Sequence, residues 1–280
     1  MIRYVIDPSQ PLRIKQVEST PTVYLDHWAL RHISTTDELC NRFAQSLLSS
    51  NGTLMLSWLN LVEFAKVTDR HQTDAAERLI EAVLPNVFFM EINPFTVIER
   101  EDRLLAGGTP IPPHADTGFL KAFAALKPSS LKPFTAHELL STPGEADMSS
   151  LLDSLADTIA KQTAALRTEV DSDENFRSAI RRLPSGPILQ QGTRYVLREL
   201  ARTFFIDRSL KVSRNHAIDL LHSVVPVAYC DLVLLDKHWE EQIERMRTRF
   251  ADAKLSVPVA RAFSRRKNGL DRFLLALKPQ

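Results

Sequence analysis

Cysteine is nearly missing from this 280-residue chain, which has only Cys40 and Cys230. Two thiols are too few for a disulfide framework or a cysteine metal site, and this suits a reducing cytoplasm. Net charge is nearly missing as well. Lys and Arg number 35 against 34 Asp and Glu, leaving +1 at pH 7. No global field therefore draws the chain to nucleic acid or anionic membrane, and a polyanionic partner has to be held by local basic patches. The opening MIRYVIDPSQPLRIK has no apolar signal core, and no run of about 18 apolar residues occurs. The expectation is a cytoplasmic protein with no membrane association. The histidines lack the HExxH spacing of a zinc site, and DHWAL after the first strand lacks the glycine-rich turn of a dinucleotide-binding enzyme. A phosphatase with a strand-end aspartate nucleophile predicts a second aspartate two residues after Asp26, where Trp28 stands instead. No internal repeat or low-complexity tract is evident.

What is present is an ordinary globular composition, 44% hydrophobic and 25% charged, enough for one elaborated domain or a domain plus subdomain. After a polar leader with Pro8 and Pro11, VYLD reads as a buried strand and WALRHIS, then TTDELCNRFAQSLLSS, as helix. TLMLS is a second strand, with Ser57 as N-cap of the helix WLNLVEFAKVTDR; AAERLIEAVLP is helical and ends at Pro85. VFFMEI is a third strand. Strand and helix alternate, the pattern of an α/β parallel sheet covered by helices. Residues 93–211 read differently: Pro- and Gly-rich segments separate helical stretches, which predicts a helical insertion. Helix NHAIDLLHSVV, strand DLVLL ending at Asp236, a weaker fifth strand in AKLSVPVA and a closing helix around GLDRFLLAL complete the chain.

The stretch TVYLDHWALRHIS ends a buried strand on Asp26, where an unpaired carboxylate is expensive to desolvate. Asp236 ends another strand the same way. Both fall at the C-terminal edge of a parallel sheet, the side where ligands bind. Glu63, about two helical turns past Ser57, and Asp219, on the helix feeding the fourth strand, can turn toward the same rim. Four carboxylates converging there repel one another unless a cation sits among them, and Mg²⁺ or Mn²⁺ suits such oxygen ligands. Asp231 competes for the last role. It starts DLVLL, roughly 16 Å of extended strand before Asp236, and so belongs at the opposite rim in a structural role.

Asn215 and His222 lie at i−4 and i+3 from Asp219 and share its helical face. They can orient ligands or phosphate, or serve as hydrogen-bonded structural groups. Ser57 can contact the site as well as cap its helix. Arg194, Arg198 and Arg202 form a basic stripe, and Arg265, Arg266 and Lys267 a second run; each can track a phosphate backbone or form a solvated, ion-paired face. Trp28, Trp58 and Trp239 read more readily as packing than as base-stacking platforms.

On VYLDHW, LSWLNLVEFAK and IDLLHSVVPVAYCDLVLLDKHW, the chain resembles the PIN-domain ribonucleases over residues 20–92 and 212–260. Leu234 departs from the threonine common before the family's last aspartate. Bulkier residues replace the alanines usual in its late helix. The resemblance implies a PIN-like three-layer α/β/α fold with a central parallel sheet of about five strands. The catalytic domain is then discontinuous, residues 20–92 and 212–280, around a helical insertion at 93–211. It implies that Asp26, Glu63, Asp219 and Asp236 hold Mg²⁺ or Mn²⁺ and catalyse RNA hydrolysis, leaving 5′-phosphate and 3′-hydroxyl ends. Ser57, Asn215, His222, Arg194 and Arg198 are the candidate substrate contacts. A second function class is a catalytically inactive PIN-like scaffold that binds RNA or protein. The insertion is the expected contact for a protein partner, and PIN domains also pair as homo-oligomers.

Overall fold

The computed structural model describes residues 2–5, 13–108, 111–126, 135–145, 147–183, 192–206 and 213–278. Seven strands are present among them: β1 (Ile2–Val5), β2 (Arg13–Gln16), β3 (Thr22–Leu25), β4 (Thr53–Ser57), β5 (Val87–Met90), β6 (Leu232–Leu234) and β7 (Arg261–Phe263). The first two, in what the sequence suggests is a polar leader, pair as a separate antiparallel hairpin. The other five form one parallel sheet in the order β5-β4-β3-β6-β7. β3 to β6 are buried at every residue, as a parallel sheet with both faces covered requires. The protein is therefore α/β with a central five-stranded parallel sheet.

The chain steps outward from β3 through β4 to β5, then returns to β6 on the other side of β3. The crevice between the C-terminal ends of β3 and β6 is thus a topological switch point, the place where open α/β sheets bind ligands. Local sequence sets the helix starts there. Asp26 caps α1 (His27–Thr35) through a bond from the Ala29 N–H. Ser57 and Asn60 form a capping box for α3 (Trp58–Ala65), so that helix leaves the end of β4 at once. Between and after them lie α2 (Asp37–Ser49) and α4 (Arg70–Val83), which pack with α1.

The described part of 93–211 is helical: α5 (Pro94–Leu105), α6 (Thr117–Leu126), α7 (Ala136–Glu145), α8 (Met148–Ser172), α9 (Glu174–Arg181) and α10 (Gly192–Ile206). It shares the core of the α/β part. Helix α7 packs on α3, and α8 and α10 pack on α11 (Arg214–Tyr229). Leu139, Leu152, Val196 and Leu200 join Val23 and Leu234 in one continuous apolar cluster. The chain closes through α12 (Lys237–Asp252) and α13 (Gly269–Ala276).

The fifth sheet strand lies later than the sequence suggests. AKLSVPVA is irregular in the structure, and Arg261–Phe263 pairs with β6 instead. Pro258 supplies no N–H to a ladder, and the Ala260 N–H bonds the Val227 carbonyl of α11. The open edge of β5 is covered by a side chain and by backbone: Gln16 accepts from Phe89 N at 2.6 Å and donates to Phe89 O at 3.3 Å, and Met90 forms an antiparallel bridge with Ala115.

Candidate acidic site at the sheet switch point

Register puts the acids on a common rim. Leu25 pairs with Leu234, so Asp26 follows directly at the end of β3, and Asp236 follows β6 by two residues. Asp26 is buried, 7% exposed, and the only hydrogen bond to its carboxylate among the described residues comes from Ala29 N to Oδ1 at 3.0 Å. Asp236 is exposed. It occupies the N-cap position of α12, yet its carboxylate makes no capping bond, unlike Asp26. Asp219 lies half-buried on α11, and Glu63, half-buried on α3, enters from the β4 side.

Asp26 and Asp219 each lie within electrostatic range of Asp236 and Glu63. Burial raises the Asp26 pKa to about 8; the charge of His222 and the Ala29 bond oppose this, while Asp236 and Glu63 add to it. Burial also raises Asp219, with His222 and His216 opposing and Asp236 and Glu63 reinforcing.

His222 sits among these acids, 5% exposed. Its Nε2 is 2.9 Å from Glu63 Oε2, and its Nδ1 is 2.5 Å from the hydroxyl of Tyr24. Burial disfavours its charged form, but attraction and hydrogen bonding from Glu63, together with Asp26 and Asp219, raise its pKa above the ordinary value. Glu63 shifts the other way: burial raises it, but His222, His27 and Lys66 together bring it below a normal glutamate. Both shifts favour the imidazolium–carboxylate form of the pair. With both ring nitrogens donating, one consistent chain runs from His222 to Tyr24, on to Ser57 Oγ at 3.4 Å, then Asn60 Oδ1 at 2.9 Å; Asn60 Nδ2 donates to Leu25 O at 3.1 Å. His27 flanks it, with Nδ1 3.7 Å from Glu63 Oε2.

Several residues fall elsewhere than the sequence suggests. Ser57 is fully buried and its hydroxyl serves Tyr24 and Asn60, so it faces the interior rather than a substrate. His222 has both nitrogens engaged by protein groups and acts on Glu63. Arg194 is ion-paired to Asp102 at 2.6 Å. Its neighbour Thr193 is held by Glu101, which also accepts from Tyr229 at 2.7 Å. Tyr229 ends α11 ten residues after Asp219, roughly 15 Å along the helix, which puts Arg194 far from the rim. Arg198 caps the end of α9 by donating to the carbonyls of Ala179 and Arg182, and Arg202 pairs with buried Glu199. The stripe ties helices together. Asn215 is exposed at the start of α11. Asp231 lies at the opposite end of β6, accepting from the N–H and hydroxyl of Thr22 at 2.7 and 3.0 Å.

Tyr24, His27 and Asn60 were not singled out by the sequence reading as parts of this site. The signal for Tyr24 was there: it precedes Asp26 by two residues in a strand, so both point to one side of the sheet.

The fold and rim define a doubly wound α/β protein with an acidic crevice at its switch point. No protein-family model matches this chain, and comparison with curated proteins and with solved structures gave no match.

The donor set has the chemistry for a hard divalent ion: Asp26 keeps Oδ2 clear of its cap bond, and the Asp236 carboxylate makes no cap bond at all. Among the described residues, no three His, Cys, Asp or Glu side chains are gathered into a ready metal shell.

Proposed function

We propose that this chain is a metal-dependent ribonuclease of PIN type that hydrolyses RNA phosphodiester bonds in the crevice between β3 and β6. One observation carries the reading. Asp26 senses Asp236 and Glu63, and Asp219 senses the same two, so acids from four distant segments share one field at the switch point. Such a cluster costs stability unless a cation relieves it. Mg²⁺ or Mn²⁺ held by Asp26, Asp219 and Asp236, with Glu63 alongside, supplies charge neutralisation at the phosphodiester and acidity for an attacking water. Asp26 would have to lose its proton to ligate such a cation, because burial raises its carboxyl pKa to about 8. His222 fixes the orientation of Glu63, and Tyr24 fixes the ring of His222.

The test is cleavage of mixed single-stranded and structured RNA with Mg²⁺ or Mn²⁺, with and without chelator, beside Asp26→Asn. Metal-dependent cleavage lost in the variant is the expected result. Cleavage that survives both chelator and substitution would overturn the metal mechanism. An inactive RNA- or protein-binding scaffold is the second reading, and it is supported by the His222–Glu63 pair, which balances part of the acid charge without a metal. Absence of cleavage under every condition decides for it.

A further inference from the structure

The second basic run lies on the acidic rim. β7 is parallel to β6 with Phe263 opposite Leu234, so Ser264 and Arg265 emerge level with Leu235 and Asp236. Arg265, Arg266 and Lys267 are all exposed. Their backbone lies two strands from β3, about 10 Å away. Arg265 spans that gap: its guanidinium carbon stands 4.4 Å over the ring of Trp28, two residues after Asp26.

The loop is built rather than slack. Ser264 is fully buried, its hydroxyl donating to the Glu240 carboxylate and accepting from Arg266 N at 3.2 Å. Gly269 N–H donates to Arg266 O at 2.7 Å, and a Cβ on Gly269 would stand 1.9 Å from Ser264 O. Lys267 and Asn268 both hold positive φ, 48° and 55°, turning the loop sharply. Arg266 is ion-paired with Glu241 at 2.5 Å, while Arg265 and Lys267 have no carboxylate partner among the described residues.

We propose that Arg265, Lys267 and the Trp28 face form a docking wall for the backbone of a single-stranded RNA whose reacting phosphodiester lies at the acids. This rests on the ribonuclease reading and names where its substrate is held. A guanidinium held over an indole presents a planar donor set matched to phosphate, and Lys267 adds a second point charge. Two cations beside an acid cluster also offset the repulsion that Asp26, Asp219 and Asp236 exert on an approaching polyanion.

The test is binding of a labelled single-stranded RNA to the full chain in chelator, across a salt series, with Arg265→Ala/Lys267→Ala beside wild type. Arg194→Ala/Arg198→Ala serves as a charge-matched control, and a thermal melt checks folding of each. The rim variant is expected to bind roughly tenfold more weakly and to lower the slope of log K against log salt by about 1.4, two single-strand phosphate contacts. Arg265→Lys should restore the slope but only part of the affinity. Equal affinity and slope in wild type and rim variant, or no RNA binding by wild type, would overturn the proposal. So would loop-dependent binding of an acidic peptide but not RNA, which would assign the wall to a protein partner. Loop-dependent RNA binding without cleavage sinks the ribonuclease reading alone, and cleavage with loop-independent binding sinks this one alone.

Discussion

His222 Nε2 and Glu63 Oε2 are 2.9 Å apart, joining α11 to α3 across the end of the sheet, with His222 buried and Glu63 half-buried at the acidic rim. His222 lowers the pKa of Asp26, Glu63 and Asp219 alike, so removing it takes away the group that stabilises their charged forms.

His222→Ala is therefore expected to destabilise the protein by about 2–4 kcal/mol, the range for breaking a largely enclosed ion pair from one side. Urea unfolding in chelator measures it. His222→Ala/Glu63→Gln should lose less than the two single changes summed, because the second substitution removes the charge the first one strands. Strict additivity would contradict the pair.

Stability of the metal-free protein should fall as pH rises toward 8. Asp26 keeps its proton in the folded state to about pH 8 but loses it near 3.8 when unfolded, so between those values rising pH favours the unfolded chain. His222 acts in the same sense: its contribution is present below the ordinary histidine value and is lost as pH rises through its raised pKa. Glu63 works oppositely, contributing above 4.5 and losing its effect as pH falls through its lowered pKa. Asp26→Asn should flatten the profile and melt about 5 °C higher at pH 8, since Asn keeps the helix cap and carries no charge. An unchanged pH profile would rule out the buried acid as its source.

Asp236 makes no capping bond, so Asp236→Asn should change metal-free stability by less than about 0.5 kcal/mol, slightly upward from relief of repulsion. In wild type, Mg²⁺ or Mn²⁺ should raise the melting temperature by mass action, and the variant should lose that rise. Marked destabilisation without metal would show a structural aspartate instead.

Gly269→Ala should be costly, because Gly269 is buried at the start of α13, against the 264–268 turn. Its Cβ would meet the Ser264 carbonyl oxygen at 1.9 Å, so the turn must open. Denaturant unfolding should show a loss of about 2 kcal/mol or more, and RNA binding should weaken along with it. Wild-type stability would mean that the turn is not held by that contact.

Patterning made much of the frame legible. Continuous apolar runs such as VYL and LVLL mark strands buried on both faces, and Asp26 and Ser57 mark immediate helix starts through their side-chain caps. Alternation in SVPVA suggests a fifth strand there, but Pro258 offers no N–H and the strand forms at Arg261–Phe263. The arginine stripe of α10 was ambiguous for a different reason. Spacing shows which side chains share a face, but not that Asp102 and the carbonyls of Ala179 and Arg182 wait opposite them.

By itself the sequence determined the α/β alternation, the helical middle of the chain and the positions of aspartates at strand ends, because these follow from local periodicity and capping. Tertiary structure decided the rest: that β6 returns beside β3, that His222 sits between Glu63 and Tyr24, and that Arg265 lies over Trp28. Those contacts join residues far apart in the chain, and no local preference encodes which distant partner a side chain meets; packing of the sheet and its helices selects it.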